Sequence, residues 1–100
     1  MLKDCMPVQA RPDDPIWTTS VMSRELGRVI EGLMYAHHKH SWGDEKGARI
    51  READARINFA DLITQCRVLA EQLNWPWLTL LKDGEERFQE RMQEITEKRL

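Results

Sequence analysis

The sequence lacks the long apolar run that a membrane-spanning helix needs. No stretch approaches about 18 consecutive apolar residues, and no charged-then-apolar segment opens the chain as a secretory signal would. A basic excess is missing too, since 15 Lys and Arg face 17 Asp and Glu for a net charge of -2. We therefore expect neither a membrane nor duplex nucleic acid as a partner.

Cysteine is equally scarce. Cys5 and Cys66 stand far apart and form no C-x-x-C pair, which excludes a disulfide framework and a zinc ribbon and predicts reduced thiols in a cytoplasmic protein. Glycine-rich phosphate loops, nucleophile-elbow motifs and locally supported Cys–His pairs are also absent. If the protein is an enzyme, metal-bound carboxylates on helices are the only chemistry that the sequence makes available.

What the chain does contain is helical periodicity. Its 100 residues are 41% hydrophobic and 32% charged, which fits one folded domain. Prolines 7, 12 and 15 predict an extended N-terminal arm over 1–17, followed by a single helical domain over 18–100. We expect three helices, at about 20–41, 45–73 and 76–98, and no strand, so the predicted fold is all-α.

Each of the first two predicted helices carries an apolar stripe. The stripe of the first helix consists of Met22, Leu26, Val29, Ile30, Leu33 and His37. The stripe of the second consists of Phe59, Leu62, Ile63, Cys66, Leu69, Ala70 and Leu73. Apolar residues on the other face of the second helix, Ile57 and Val68, leave more apolar surface than one thin layer can bury. We therefore expect a dimer whose core is a four-helix bundle built from the first two helices of each chain.

Polar residues on these helices define the candidate site. On the second helix, Asp54, Asn58 and Asp61 share a face. It is either an ordinary solvated face or a carboxylate site in which Asp54 and Asp61 supply hard oxygen ligands for Mg²⁺. On the third helix, Lys82 and Arg87 either belong to a lattice of surface salt bridges or reach phosphate groups.

Three segments together resemble the MazG-like nucleotide pyrophosphohydrolases. They are R-E-L-G-R-V-I-E-G from Arg24 to Gly32, N-F-A-D-L-I-T-Q from Asn58 to Gln65, and G-E-E-R-F-Q-E-R-M from Gly84 to Met92, and the similarity spans about 20–94. The resemblance implies an all-α bundle that assembles as a dimer or tetramer and uses Mg²⁺ to split nucleoside triphosphates into monophosphate and pyrophosphate.

The family's two acidic motifs, E-E-x-x-E and E-x-x-D, are altered in this chain. They read Arg24-Glu25-x-x-Arg28 and Asn58-x-x-Asp61. The resemblance therefore implies Glu25 and Asp61 as metal ligands. Asp54 and Asn58 would complete the metal set, and Lys82 and Arg87 would neutralise phosphate charge.

The altered motifs leave two hypotheses open. One is a Mg²⁺-dependent nucleoside triphosphate pyrophosphohydrolase with an altered metal site. The other is a non-catalytic helical module that keeps the bundle for self-association or for a protein partner. The two arginines separate them, because the enzyme hypothesis survives if Arg24 and Arg28 point away from Glu25 and Asp61 or form salt bridges with acids elsewhere.

Overall fold

The fold is all-α, as the sequence predicts. This computed structural model describes residues 14–99, which form α1 (Pro15–Ser41), α2 (Glu45–Gln72) and α3 (Trp77–Arg99) without any strand in that range. Residues 1–13 of the predicted arm lie outside the described part. Among the described helices, none combines the length and the apolar character needed to cross a membrane.

Helix α1 begins five residues earlier than the predicted start at Ser20. The reason is Asp14, whose side chain accepts a hydrogen bond of 2.9 Å from the backbone N–H of Ile16 and so caps the helix. Pro15 suits the first helical position, since its missing N–H would have no helical partner there. Residues 15–17 of the predicted arm are therefore the first turn of α1.

The two connections are short and use left-handed backbone. Gly43, at φ 80°, lies between α1 and α2, and the Asp44 side chain then caps α2 by accepting from the N–H of Gly47 at 2.9 Å. Asn74, at φ 58°, turns the chain after α2, and Pro76 precedes α3. The end of α2 and the start of α3 agree with the prediction to within about one residue.

Helices α1 and α2 form an antiparallel hairpin through small side chains. On α1 the buried positions are Thr18, Val21, Glu25, Gly32 and Ala36, and on α2 they are Ala48, Ala55 and Ala70. The Thr18 hydroxyl donates to Gln72 Oε1 at 2.8 Å. A Cβ on Gly32 would lie 3.0 Å from the Cβ of Ala55 and 3.2 Å from the carbonyl oxygen of Arg51, so the two helices approach very closely there.

Apart from Ala70, the apolar stripes of the sequence do not form the buried core of residues 14–99. Leu26 and Leu33 on α1 stay 48% and 53% exposed, and Phe59 and Ile63 on α2 are similarly half exposed. Small residues instead occupy the hairpin interface, because only they allow this close approach. The large residues of the stripes flank that interface rather than fill it.

Helix α3 stands largely apart from the hairpin. It makes only slight contact with α2. All five apolar residues of its own stripe remain exposed. They are Leu78, Leu81, Phe88, Met92 and Ile95.

Candidate functional site

One side of the hairpin carries a polar groove between α1 and α2. Its volume is about 270 Å³, and it is open to solvent. The groove is lined by Arg28, Glu31, Gly32, Tyr35, Arg51, Asp54, Ile57 and Asn58. Gly32 lies at the closest approach of the helices, so its missing side chain helps to leave this space free.

The charges along the groove balance one another. The guanidinium of Arg51 stacks over the Tyr35 ring at 5.2 Å, which is a cation–π contact between the two helices. Arg28 and Arg51 supply two positive charges, and Glu31 and Asp54 supply two negative ones. The groove therefore has no strong preference for an anion or a cation on charge alone.

Glu25 is the most unusual residue near this groove. It is only 8% exposed, yet its Oε2 atom is buried without a hydrogen-bond partner. Its Oε1 atom lies 3.7 Å from the Nη1 of Arg28, one turn further along α1. A buried carboxylate oxygen without a donor is costly, by about 1–3 kcal/mol or more.

Only two of the four predicted metal ligands line the polar groove. Asp54 and Asn58 both line the groove, and the Asn58 side-chain amide donates to the backbone oxygen of Asp54 at 2.9 Å. Asp61 is exposed and does not line the groove. Thr18 is opposite Gln72 and Gly32 is opposite Ala55 in the antiparallel hairpin. Glu25 lies midway between Thr18 and Gly32, so it is opposite residues 62–65 of α2. Glu25 and Asp61 are therefore at nearly the same level along the hairpin axis.

Whether the predicted ligands suit Mg²⁺ depends on their oxygen atoms and on the charges beside them. The free Oε2 of Glu25 is of the right chemical type, since Mg²⁺ prefers oxygen ligands. The Arg28 guanidinium beside it opposes a second cation. Within residues 14–99, no cluster of three or more His, Cys, Asp or Glu side chains is arranged to hold a metal ion.

The predicted phosphate-binding residues lie on α3. The ammonium of Lys82 is 4.0 Å from a carboxylate oxygen of Glu86, one turn along the same exposed face, and Arg87 is exposed. Neither residue lines the groove of its own hairpin. In one chain, the predicted metal and phosphate residues are therefore not gathered into one pocket.

Sequence reasoning missed Arg51 as a groove residue. The signal was available, because Arg51, Asp54 and Asn58 follow 3- and 4-residue spacing and so share one face of α2. The predicted polar stripe begins at Asp54, one turn too late to include Arg51. The cation–π partner Tyr35, on the other helix, depends on the hairpin register, which periodicity does not supply.

The opposite side of the hairpin is apolar. A depression of about 370 Å³ lies there between α1 and α2. Its lining consists of Val29, Leu33, Ala55 and Phe59 together with Glu52 and Arg56, and most of the exposed lining surface is apolar. The hairpin thus has one polar side and one apolar side.

Comparisons with known proteins return no relative. No protein-family model, no curated protein and no solved structure matches the chain. The two sides of the hairpin and the buried Glu25 are therefore the observations from which a function has to be inferred.

Proposed function

We propose that this chain is a non-catalytic self-association module that pairs with a second copy through a four-helix bundle. The observation that carries the proposal is the bundle face, which we define as Leu26, Leu33, Phe59 and Ile63. These four large apolar side chains are about half exposed on the apolar side of the hairpin. The buried apolar core of the described chain consists only of Val21 and four alanines, too little to hold an isolated domain of this length together.

The direction of the bundle face suits a four-helix bundle. Successive residues of a helix differ by about 100°, so Leu33 points about a quarter turn away from Gly32, which faces α2. In a four-helix bundle each helix contacts two neighbours at about this angle. Helix α1 therefore has one face for α2 and an adjacent one for a helix of the second copy.

The energy available from the bundle face is moderate. Full burial of a Leu, Ile or Phe side chain contributes about 1.5–3 kcal/mol. Burying the exposed halves of four such residues on each of two chains would therefore contribute roughly 6–12 kcal/mol. A micromolar complex requires about 8 kcal/mol, and association also loses translational and rotational freedom. The bundle face supports pairing, but it supports only a weak dimer without further contacts.

The Arg28–Glu25 contact favours this proposal over the enzyme hypothesis. The arginine does not point away from Glu25 but lies 3.7 Å from its carboxylate. The ion pair then takes the place that a bound cation would have in an enzyme of the resembled family. A structural role for Glu25 needs no metal.

The test is a charge placed on the bundle face. Leu33→Glu would bury a carboxylate between the two chains, so we expect light scattering to report a monomer of 11.8 kDa in place of a dimer of twice that mass. Ile57→Glu is the matched control, because Ile57 is also exposed but lines the polar groove. A wild-type protein that is monomeric at micromolar concentration, or an intact Leu33→Glu dimer, contradicts the proposal.

A second candidate is the Mg²⁺-dependent nucleoside triphosphate pyrophosphohydrolase implied by the family resemblance. The free buried Oε2 of Glu25 favours it, since a carboxylate oxygen without a donor resembles a metal ligand without its ion. Glu25, Asp61, Asp54 and Asn58 would hold the metal, which would activate water and polarise a phosphoryl oxygen. Lys82 and Arg87 would bind the phosphates.

Pyrophosphate release separates the two candidates. The assay uses a panel of nucleoside triphosphates with Mg²⁺ or Mn²⁺ and is repeated with EDTA. If the enzyme candidate is right, turnover is metal-dependent and is lost in Asp61→Ala with an unchanged helical circular-dichroism signal. If Glu25 is only structural, no turnover occurs and Glu25→Leu keeps or raises the free energy of unfolding, because it removes the buried Oε2 that has no donor while the half-exposed Arg28 stays hydrated.

A further inference from the structure

Helix α3 has an apolar seam that the other described residues of the chain leave uncovered. Leu78, Leu81, Phe88, Met92 and Ile95 repeat with the 3- and 4-residue spacing of a packed helix, and Glu85 occupies the one polar position of the series. Leu78 is 79% exposed, and the other four are between 42% and 58% exposed. A lone helix of this length with a glycine in its middle is marginal in water, so the seam needs a covering surface.

Helix α1 offers a second apolar surface besides the bundle face. Ile30 and Met34 lie about 60–100° further around the helix than Leu33, and they are 50% and 57% exposed. They border a depression of about 220 Å³ over Gly27, where a Cβ would meet nothing within 4 Å. We call Gly27, Ile30 and Met34 the outer face of α1.

We infer that α3 of each chain packs along the outer face of α1 in a second copy, as a reciprocally exchanged arm. The inference rests on the proposed self-association and adds the surface that completes it. Among residues 14–99, each chain has both an uncovered apolar seam on α3 and an uncovered depression over Gly27, which we call the notch. Two copies related by a two-fold axis cover both at once. The bundle face alone supports only a weak dimer. Burial of the two α3 seams against the two outer faces of α1 adds the apolar area that a more stable dimer needs.

Charge also favours this packing over parallel pairing of α3 with α3. In a parallel pair the two Glu85 carboxylates would meet at the same level of the seam, which is repulsive. Against α1, Arg91 at the edge of the seam can approach Glu31, which lines the notch beside Gly27. The notch has room for a large side chain, and Phe88 is the largest in the seam.

Cross-linking between two differently tagged chains tests the arrangement. Both native cysteines are first replaced by Cys5→Ser and Cys66→Ala. One chain then carries Met34→Cys and the other carries Phe88→Cys, and the two are refolded together and treated with a short bismaleimide. We expect a band that contains both tags, and we expect its loss when Phe88→Cys is exchanged for Glu90→Cys, on the opposite face of α3.

The possible outcomes separate the inference from the proposed function. A wild-type chain that is monomeric by light scattering overturns both. A dimer without the Met34–Phe88 band, or with an equal Met34–Glu90 band, overturns the arm exchange alone. A dominant Phe88–Phe88 band, or an internal cross-link in one chain carrying both cysteines, overturns it as well.

A measurement without cysteines supports or contradicts the same inference. Phe88→Ser removes the largest seam residue, and we expect the dissociation constant of the dimer to rise roughly tenfold or more. Glu90→Ser should leave that constant unchanged. Equal dissociation constants for the two variants would contradict the exchanged arm.

Discussion

A missing side chain at Gly32 sets how closely the two long helices approach. The Gly32→Ala methyl group would lie 3.0 Å from the Cβ of Ala55 and 3.2 Å from a backbone oxygen. Alanine favours helix over glycine by about 1 kcal/mol, but overpacking of this kind costs about 1–3 kcal/mol. We therefore expect Gly32→Ala to lower the free energy of unfolding by about 1 kcal/mol.

Gly84→Ala is the control for this prediction. Gly84 is also in the interior of a helix, but a Cβ there meets nothing within 4 Å. This variant should gain about 1 kcal/mol from helix propensity, so thermal unfolding at one fixed protein concentration should separate the two variants clearly. A stabilised Gly32→Ala protein would mean that the helices are further apart than described.

At the scale of one element, the start of α1 depends on a single carboxylate. The Asp14 side chain accepts from the Ile16 N–H at 2.9 Å, and loss of such a cap costs about 1 kcal/mol. Asp14→Ala should therefore lower the melting temperature by roughly 4–8 °C. Asp14→Ser keeps an oxygen in place and should retain most of the stability, whereas equal losses in both variants would argue against the cap.

The helices themselves were readable from the sequence, whereas their contacts were not. Periodicity, Gly43 and the Asn74–Pro76 break placed α2 and α3 to within about one residue. The predicted start of α1 is five residues too late, because proline in an irregular segment predicts an extended arm, whereas Pro15 is the first residue of a helix capped by Asp14. Proline favours both extended segments and the first turn of a helix, and the Asp14 cap favours the helix here.

The candidate site depends on information that one helix does not contain. The shared face of Asp54 and Asn58 follows from spacing, and both line the groove. Which face of α1 meets α2 does not follow from hydrophobicity, since alanine, glycine and threonine occupy it while Leu26 and Leu33 remain exposed. The sequence pattern marks apolar surface correctly but does not say whether the same chain or another one covers it.

At the scale of the whole molecule, folding and association should be one equilibrium. When most large apolar side chains are buried only between chains, the melting temperature depends on protein concentration. We expect it to rise steadily over a hundredfold range of concentration, followed by circular dichroism at the low end and calorimetry at the high end. A melting temperature that is constant over this range would indicate a chain that is stable alone.

The hairpin interface of small residues also has a consequence for the protein's lifetime. A chain held together mainly by Val21 and four alanines opens readily before it meets a second copy, and opened chains are the substrates of proteases. Freshly made protein at low abundance should therefore be degraded quickly, and survival should increase more steeply than in proportion to synthesis. Pulse-chase labelling at two expression levels would measure this as a longer half-life at the higher level, so the amount of protein present would itself decide how much of it persists.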